Sequence, residues 1–254
     1  MGVRTDDLLE TLLYSAALVL RPTLSTIDRP ELVWGPNWRP TRSLRHARTR
    51  GWLDTTETDG WHLTPTGRQR ALRGRDPEPL WETEWDGQWR MVLFDLPESR
   101  RSLRAALRRK LIESGFGCLQ RSVWITPHSF ELAGFDASVP EHRAKQIVRL
   151  EARTASGMDP DDVVAAAWDW KAIDARYGAV QSALERLERS GDNPVALREA
   201  LAAVREQWQA AAERDPFLPA ELRPKTYRGQ RVWQRRAEAM RQLATTGRLA
   251  AVFA

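Results

Sequence analysis

From Arg39 to Arg50 the chain reads RPTRSLRHARTR, in which five of twelve residues are arginine and none is acidic. The arginine fork matches phosphate oxygens and the O6/N7 edge of guanine, which lysine's point charge does not. On a helix, Arg42, Arg45 and Thr49 share one face, while Leu44 and Ala47 can turn inward. Such a basic face fits the major groove of duplex DNA. The candidate DNA contacts are Arg39, Thr41, Arg42, Arg45, His46, Arg48, Thr49 and Arg50, with Arg68 and Arg70 as later phosphate contacts. The plainer reading is a solvated face in an arginine-rich chain. Lys110, Lys145, Lys171 and Lys225 are the only lysines, so 35 of the 39 basic residues are arginine.

Other chemistry is sparser. Asp95 closes the apolar run WRMVLFD, a common position for a metal-binding carboxylate, although capping the next turn explains it as well. Six of the eleven residues from Arg100 to Lys110 are basic and suit flanking DNA, an anionic ligand or simply solvent. His46, His62, His128 and His142 lack zinc-binding spacing. The sequence has no nucleophile elbow, Walker loop or dinucleotide fingerprint, so no cofactor is expected. Trp124, Trp168, Trp208 and Trp233 suit either an aromatic pocket or core packing.

The elements that must hold these residues follow from periodicity. Leu8, Leu9, Leu12, Leu13, Ala16 and Val19 recur at helical spacing, and the helix stops before Pro22. A less regular stretch with Pro30, Pro36 and Pro40 follows, in which the prolines leave little room for a short helix around Glu31. The basic helix follows, with Thr41 as cap and Gly51 as stop. WLDTT and WHLT then flank the turn Thr58-Asp59-Gly60, and TPTGRQRAL opens another helix. This order predicts a winged helix-turn-helix. Next come a strand over QWRMVLFDLPE, a helix from Ser99 to Ser114 with Leu103, Leu107 and Leu111 inside, a strand over GCLQRSVWITP, and a strand over KQIVRLEA. That pattern predicts a ferredoxin-like α+β domain. From Asp159-Pro160 onward the stripes are helical: Ile173, Tyr177, Val180, Leu184 and Leu187, then Leu197, Leu201, Val204 and Trp208, then Val232, Trp233, Ala237, Met240 and Leu243.

Three stretches together resemble the phenylacetate-degradation repressors, the PaaX-type regulators. WRMVLFDLPESRRSLRAALRRKLIESGFGCLQRSVWITP resembles that family's central domain. RGWLDTTETDGWHLTPTGR resembles its helix-to-wing region, and AAAWDW with DPFLPAELRP resembles its tail. The resemblance implies a winged helix, a ferredoxin-like middle and a helical C-terminal domain. It also implies a dimer on a palindromic operator, released by an aryl-coenzyme A thioester such as phenylacetyl-coenzyme A. Arg42, Arg45 and Arg48 fall where the family's DNA-reading helix falls, whereas VWGPNWRP, just before it, departs from the family's second helix. The middle stretch is also similar to a small CRISPR-associated nuclease-like subunit, in which an aspartate matching Asp95 holds a metal between two subunits.

The expected fold class is therefore α+β. A winged helix-turn-helix covers 1–75, a linker 76–87, a ferredoxin-like domain 88–155, and a helical domain for dimerisation and effector binding 156–254. The net charge is +5, apolar residues make up 42%, and the single cysteine, Cys118, excludes an internal disulfide. The longest apolar stretch, Leu12–Leu20, is too short to span a bilayer, and the N-terminus lacks a signal-peptide pattern. These features fit a cytoplasmic chain, and the resemblance implies a non-enzymatic, homodimeric regulator of transcription that binds double-stranded DNA. A metal-dependent nuclease built on Asp95 and a protein-binding adaptor are the rival classes.

Overall fold

The computed structural model describes residues 5–6, 9, 13, 41–56, 60–129, 147–246 and 248. In chain order the elements are α1 (Thr41–Thr49), β1 (Leu53–Thr56), β2 (Gly60–Leu63), α2 (Pro65–Leu72), α3 (Pro77–Glu82), β3 (Trp89–Phe94), α4 (Arg101–Glu113), β4 (Gly117–Gln120), β5 (Val123–Thr126), β6 (Ile147–Ala152), α5 (Pro160–Ala167), α6 (Trp170–Arg189), α7 (Pro194–Ala212) and α8 (Gly229–Thr245). Of the expected first helix, Leu9 and Leu13 are described; both are helical and buried. The short helix expected around Glu31, the residue Arg39 and the turn residues Thr58 and Asp59 lie outside the described residues.

The chain divides into two compact units. One comprises Met1–Asp76, Arg176–Ala210 and Arg228–Ala254, the other Pro77–Ala175 and Ala211–Tyr227. In the second unit a four-stranded antiparallel sheet runs in the order β4-β5-β3-β6. Val92, Phe94 and Trp124 on one face form a core with Leu107, Leu111 and Phe116, joined by Leu96, because α4 turns its leucine stripe onto the sheet. Gly115 ends that helix at φ +86°, a conformation cheap only for glycine. On the other face Gly117 lets α5 approach: a Cβ there would meet the Trp168 ring at 2.6 Å and the Ala167 Cβ at 2.8 Å.

The sheet corrects one expectation. GCLQRSVWITP, read as one strand, is two strands broken at Arg121-Ser122, with a register irregularity between Cys118 and Gln120. The polar run Gln120-Arg121-Ser122 at the reversal holds no glycine, proline or asparagine, the usual hairpin-turn residues, so nothing in it marks where the chain reverses.

A buried polar network ties Ala211–Tyr227 into this unit. Trp81 Nε1 donates to the Tyr227 hydroxyl at 3.0 Å, which donates to Asp215 at 2.6 Å. Asp215, fully buried, also accepts from the Phe217 amide at 2.7 Å and so helps hold Phe217 at φ +54°. The buried His128 ring sets Nε2 at 3.2 and 3.1 Å from the carbonyls of Pro216 and Phe217. Arg90 forks onto Asp86 at 2.8 and 2.5 Å and donates to the Pro127 carbonyl at 3.0 Å. That hydrogen-bonded guanidinium holds the Asp86 carboxyl below its usual range.

The helical stripes expected in the tail are buried: Tyr177, Val180, Leu184, Leu197, Leu201 and Val204 are each at most 1% exposed. Asp159 caps α5, accepting from the Asp161 amide at 2.9 Å, and Asn193 accepts from the first amides of α7, at Val195 and Ala196. In the first unit, Trp208 stacks against Trp233 with ring centroids 5.0 Å apart. The buried guanidinium of Arg236 lies 5.2 Å and 5.7 Å from these two rings, in cation–π range. Trp208 and Trp233 thus take the core-packing role. Among the described residues no helix is long and apolar enough to cross a membrane.

Candidate nucleic-acid interface

In α1, Leu44 and Ala47 are buried, which turns Arg45, His46, Arg48 and Thr49 outward, all exposed. Thr41 and Arg42 belong to the first turn of the same helix. Thr49 turns its hydroxyl back to the Arg45 carbonyl at 2.9 Å. Among the described residues, the side chains of Arg45 and Arg50 have no hydrogen-bond or ion-pair partner, so their guanidiniums are open to an incoming anion.

The helix ends in a glycine cap. Gly51, at φ +68°, donates to the Arg48 carbonyl at 2.8 Å, and Trp52 donates to the Ala47 carbonyl at 2.9 Å. This is the Schellman pattern, in which a left-handed residue satisfies the last carbonyls of the helix. The chain then enters the hairpin β1-β2, paired Leu53↔Leu63, Asp54↔His62, Thr55↔Trp61 and Thr56↔Gly60.

Three residues after the hairpin lock it to that cap. Thr64 and Thr66 both donate to the Gly51 carbonyl, at 2.7 and 3.0 Å. Thr64 also caps α2 by accepting from the Gly67 amide at 3.0 Å, and its own amide donates to the Trp52 carbonyl at 3.1 Å. Gly67 is buried against that carbonyl oxygen, where a Cβ would collide with it. Basic helix, hairpin and following helix therefore meet at one hydrogen-bonded point.

The two arginines of α2 are engaged inside the unit. Arg68 forks onto Asp76 at 2.6 and 3.4 Å. Arg70 forks onto Asp6 at 3.0 Å for both bonds, and its guanidinium carbon lies 5.1 Å from the Trp52 ring centre. His46 meets the same ring edge-on, with centroids 5.8 Å apart. Sequence reasoning did not single out Trp52, Asp6 or Asp76. Asp6 is 64 residues from Arg70, and no local pattern could pair them.

The second unit holds the other candidates. Asp95 is exposed beyond the end of β3, and among the described residues its carboxylate has no partner. The capping role considered for it is absent: Pro97, not Asp95, precedes the 3-10 turn Glu98–Arg100, and no side chain caps that turn. Among the described residues no three His, Cys, Asp or Glu side chains converge as a metal site would require. Arg104 donates to the Leu96 carbonyl and Arg108 to the Arg121 carbonyl at 3.1 Å, so arginines of α4 brace the segment after Asp95 and the β4-β5 turn. The Cys118 thiol, exposed near this edge, is shifted up by desolvation and lowered in part by the nearby Arg108 charge.

The family match falls within this second unit. Residues 82–164 match the family described as PaaX protein central Cas2-like domain. That match covers the middle of the chain, about a third of its length. The PaaX match spans the four strands, α4 and the start of α5. The chain is also similar in fold to a solved structure, the uncharacterized protein Rv0674 from Mycobacterium tuberculosis, at 22% identity and a TM-score of 0.53 over 96% of each chain. At that identity the likeness concerns fold alone. No curated protein matches the chain.

Proposed function

We propose that the protein is a PaaX-type transcriptional regulator that binds duplex DNA through α1 and the β1-β2 hairpin, acting as a winged helix. The observation that carries this reading is the outward arginine face of α1, held to the hairpin through the Gly51–Thr64–Thr66–Gly67 junction. A fixed angle between reading helix and wing lets one element enter the major groove while the other follows the neighbouring phosphates. Thr41, Arg42, Arg45, His46, Arg48, Thr49 and Arg50 lie on or directly beside the reading helix. Arg39 precedes it. Arg68, half-buried, and Arg70, exposed, support it by fixing α2.

The functional segments in this reading are a winged helix over 1–75, a linker over 76–87, a PaaX-type ferredoxin-like domain over 88–155, and a helical segment over 156–254 for dimerisation and effector binding. The protein acts as a cytoplasmic homodimer, without catalysis, as a repressor released by an aryl-coenzyme A thioester. The central-domain match and the sequence resemblance across the chain support this reading.

Selection from random duplex DNA at about 150 mM salt tests it, since that salt weakens non-specific phosphate attraction. The expected product is an enriched inverted repeat with half-sites about one helical turn apart, or a multiple of it. A folded protein that enriches no motif would remove the sequence-reading role.

A further inference from the structure

We propose that the outer face of α4, together with the β4-β5 turn, is a second polyanion-binding surface that contacts the phosphate backbone of duplex DNA without reading sequence. The partner, duplex DNA, is taken from the function proposed for α1. Burial of Leu107 and Leu111 fixes the helix rotation, so Arg101, Ser102, Ala105, Arg109 and Lys110 are exposed. No acidic residue occurs from Ser99 to Ile112. Arg108 leans across to the β4-β5 turn and holds the Arg121 carbonyl at 3.1 Å, which brings the exposed Arg121 beside the helix.

Two physical features favour a nucleic-acid backbone over a protein partner. First, the exposed face offers no large apolar side chain for a protein interface to bury; Ser102 and Ala105 lie between the arginines. Small residues there let a broad charged surface come close, while the guanidiniums reach out around it. Second, Arg101 and Arg109 are eight positions apart, about 12 Å along the helix. A duplex presents one negative charge per about 1.7 Å of axis, so it meets several of these cations at once. Among the described residues, Arg109, Lys110 and Arg121 have no ion-pair partner inside the protein that a phosphate would have to displace.

The test uses the full-length protein and the double variant Arg109→Gln/Arg121→Gln. Both side chains are exposed, and matching thermal melts establish that the variant folds. Affinity is measured on the selected motif and on a scrambled duplex across a salt series. The expected result is an equal fold-loss on both duplexes, an unchanged selected motif, and a slope of log affinity against log salt smaller by about 1.8, or about 0.9 for each lost phosphate contact. Arg109→Lys/Arg121→Lys restores most of the slope. Unchanged affinity and slope overturn the proposal, as does a loss confined to the motif. If selection enriches nothing yet the glutamine variant weakens binding to random duplex, the reading of α1 fails while this surface stands.

Discussion

Gly67 shows how a single atom position can govern the geometry of the proposed DNA-binding element. Its missing Cβ lets the Trp52 carbonyl sit against α2, and Thr64 and Thr66 close on Gly51 around that contact. Gly67→Ala forces the backbone apart. The expected cost is about 1–3 kcal/mol, as for overpacking elsewhere in protein interiors. Denaturant midpoints of the full-length protein check this, and an unchanged midpoint would show that the junction yields without strain. Asp95 poses the opposite question, because nothing in the described structure holds its carboxylate. Two-metal phosphodiester chemistry needs several converging ligands, and among the described residues no such cluster forms around it. Asp95→Asn is therefore expected to leave DNA binding unchanged. Neither protein is expected to cleave DNA or RNA during long incubation with magnesium or manganese. Metal-dependent cleavage by the native chain that the variant loses would reinstate the nuclease reading.

At the scale of elements, α1 was legible because its cues are local. Thr41 starts it, Gly51 stops it, and Leu44 and Ala47 set which face turns inward. The hairpin was legible for the same reason, through the Asp59-Gly60 turn signal between its two strands. What stayed hidden depends on distant partners: Arg70 with Asp6, Arg68 with Asp76, and the convergence of two threonines on one carbonyl. The β4-β5 turn was missed because its residues, Gln120-Arg121-Ser122, include no glycine, proline or asparagine to signal a hairpin. Arg45 belongs wholly to the legible part. It is exposed at the middle of α1, and among the described residues its guanidinium has no internal partner. Arg45→Ala should weaken the selected site by about 1–3 kcal/mol and relax preference at one base position in each half-site. Repeating the selection with the variant gives the answer. An unchanged motif with uniform weakening would assign Arg45 to phosphate instead.

At the scale of the whole molecule, the proposed function requires that a small effector release the DNA. A ligand shifts an equilibrium only by its difference in affinity for the two states. An aryl-coenzyme A thioester that releases the operator must therefore bind the free protein more tightly than the DNA-bound protein. Linkage makes this difference reciprocal: whatever factor the thioester removes from DNA affinity, the operator must remove from thioester affinity. Phenylacetyl-coenzyme A, the effector implied by the family resemblance, is the first compound to measure. Titrated into the protein–operator complex it should lower DNA affinity, and a coupling of 1–3 kcal/mol corresponds to about 5–150-fold. Calorimetry of the same thioester with free and operator-bound protein should return an equal factor. Binding of equal strength to both forms would rule it out as an inducer however tight it was. Free coenzyme A separates the two halves of the ligand. Release by the thioester but not by coenzyme A would show that the aryl group supplies the difference in affinity, whereas equal release by both would trace the effect to the anionic nucleotide. That nucleotide would then compete with DNA for basic surface, and added salt would weaken both interactions together.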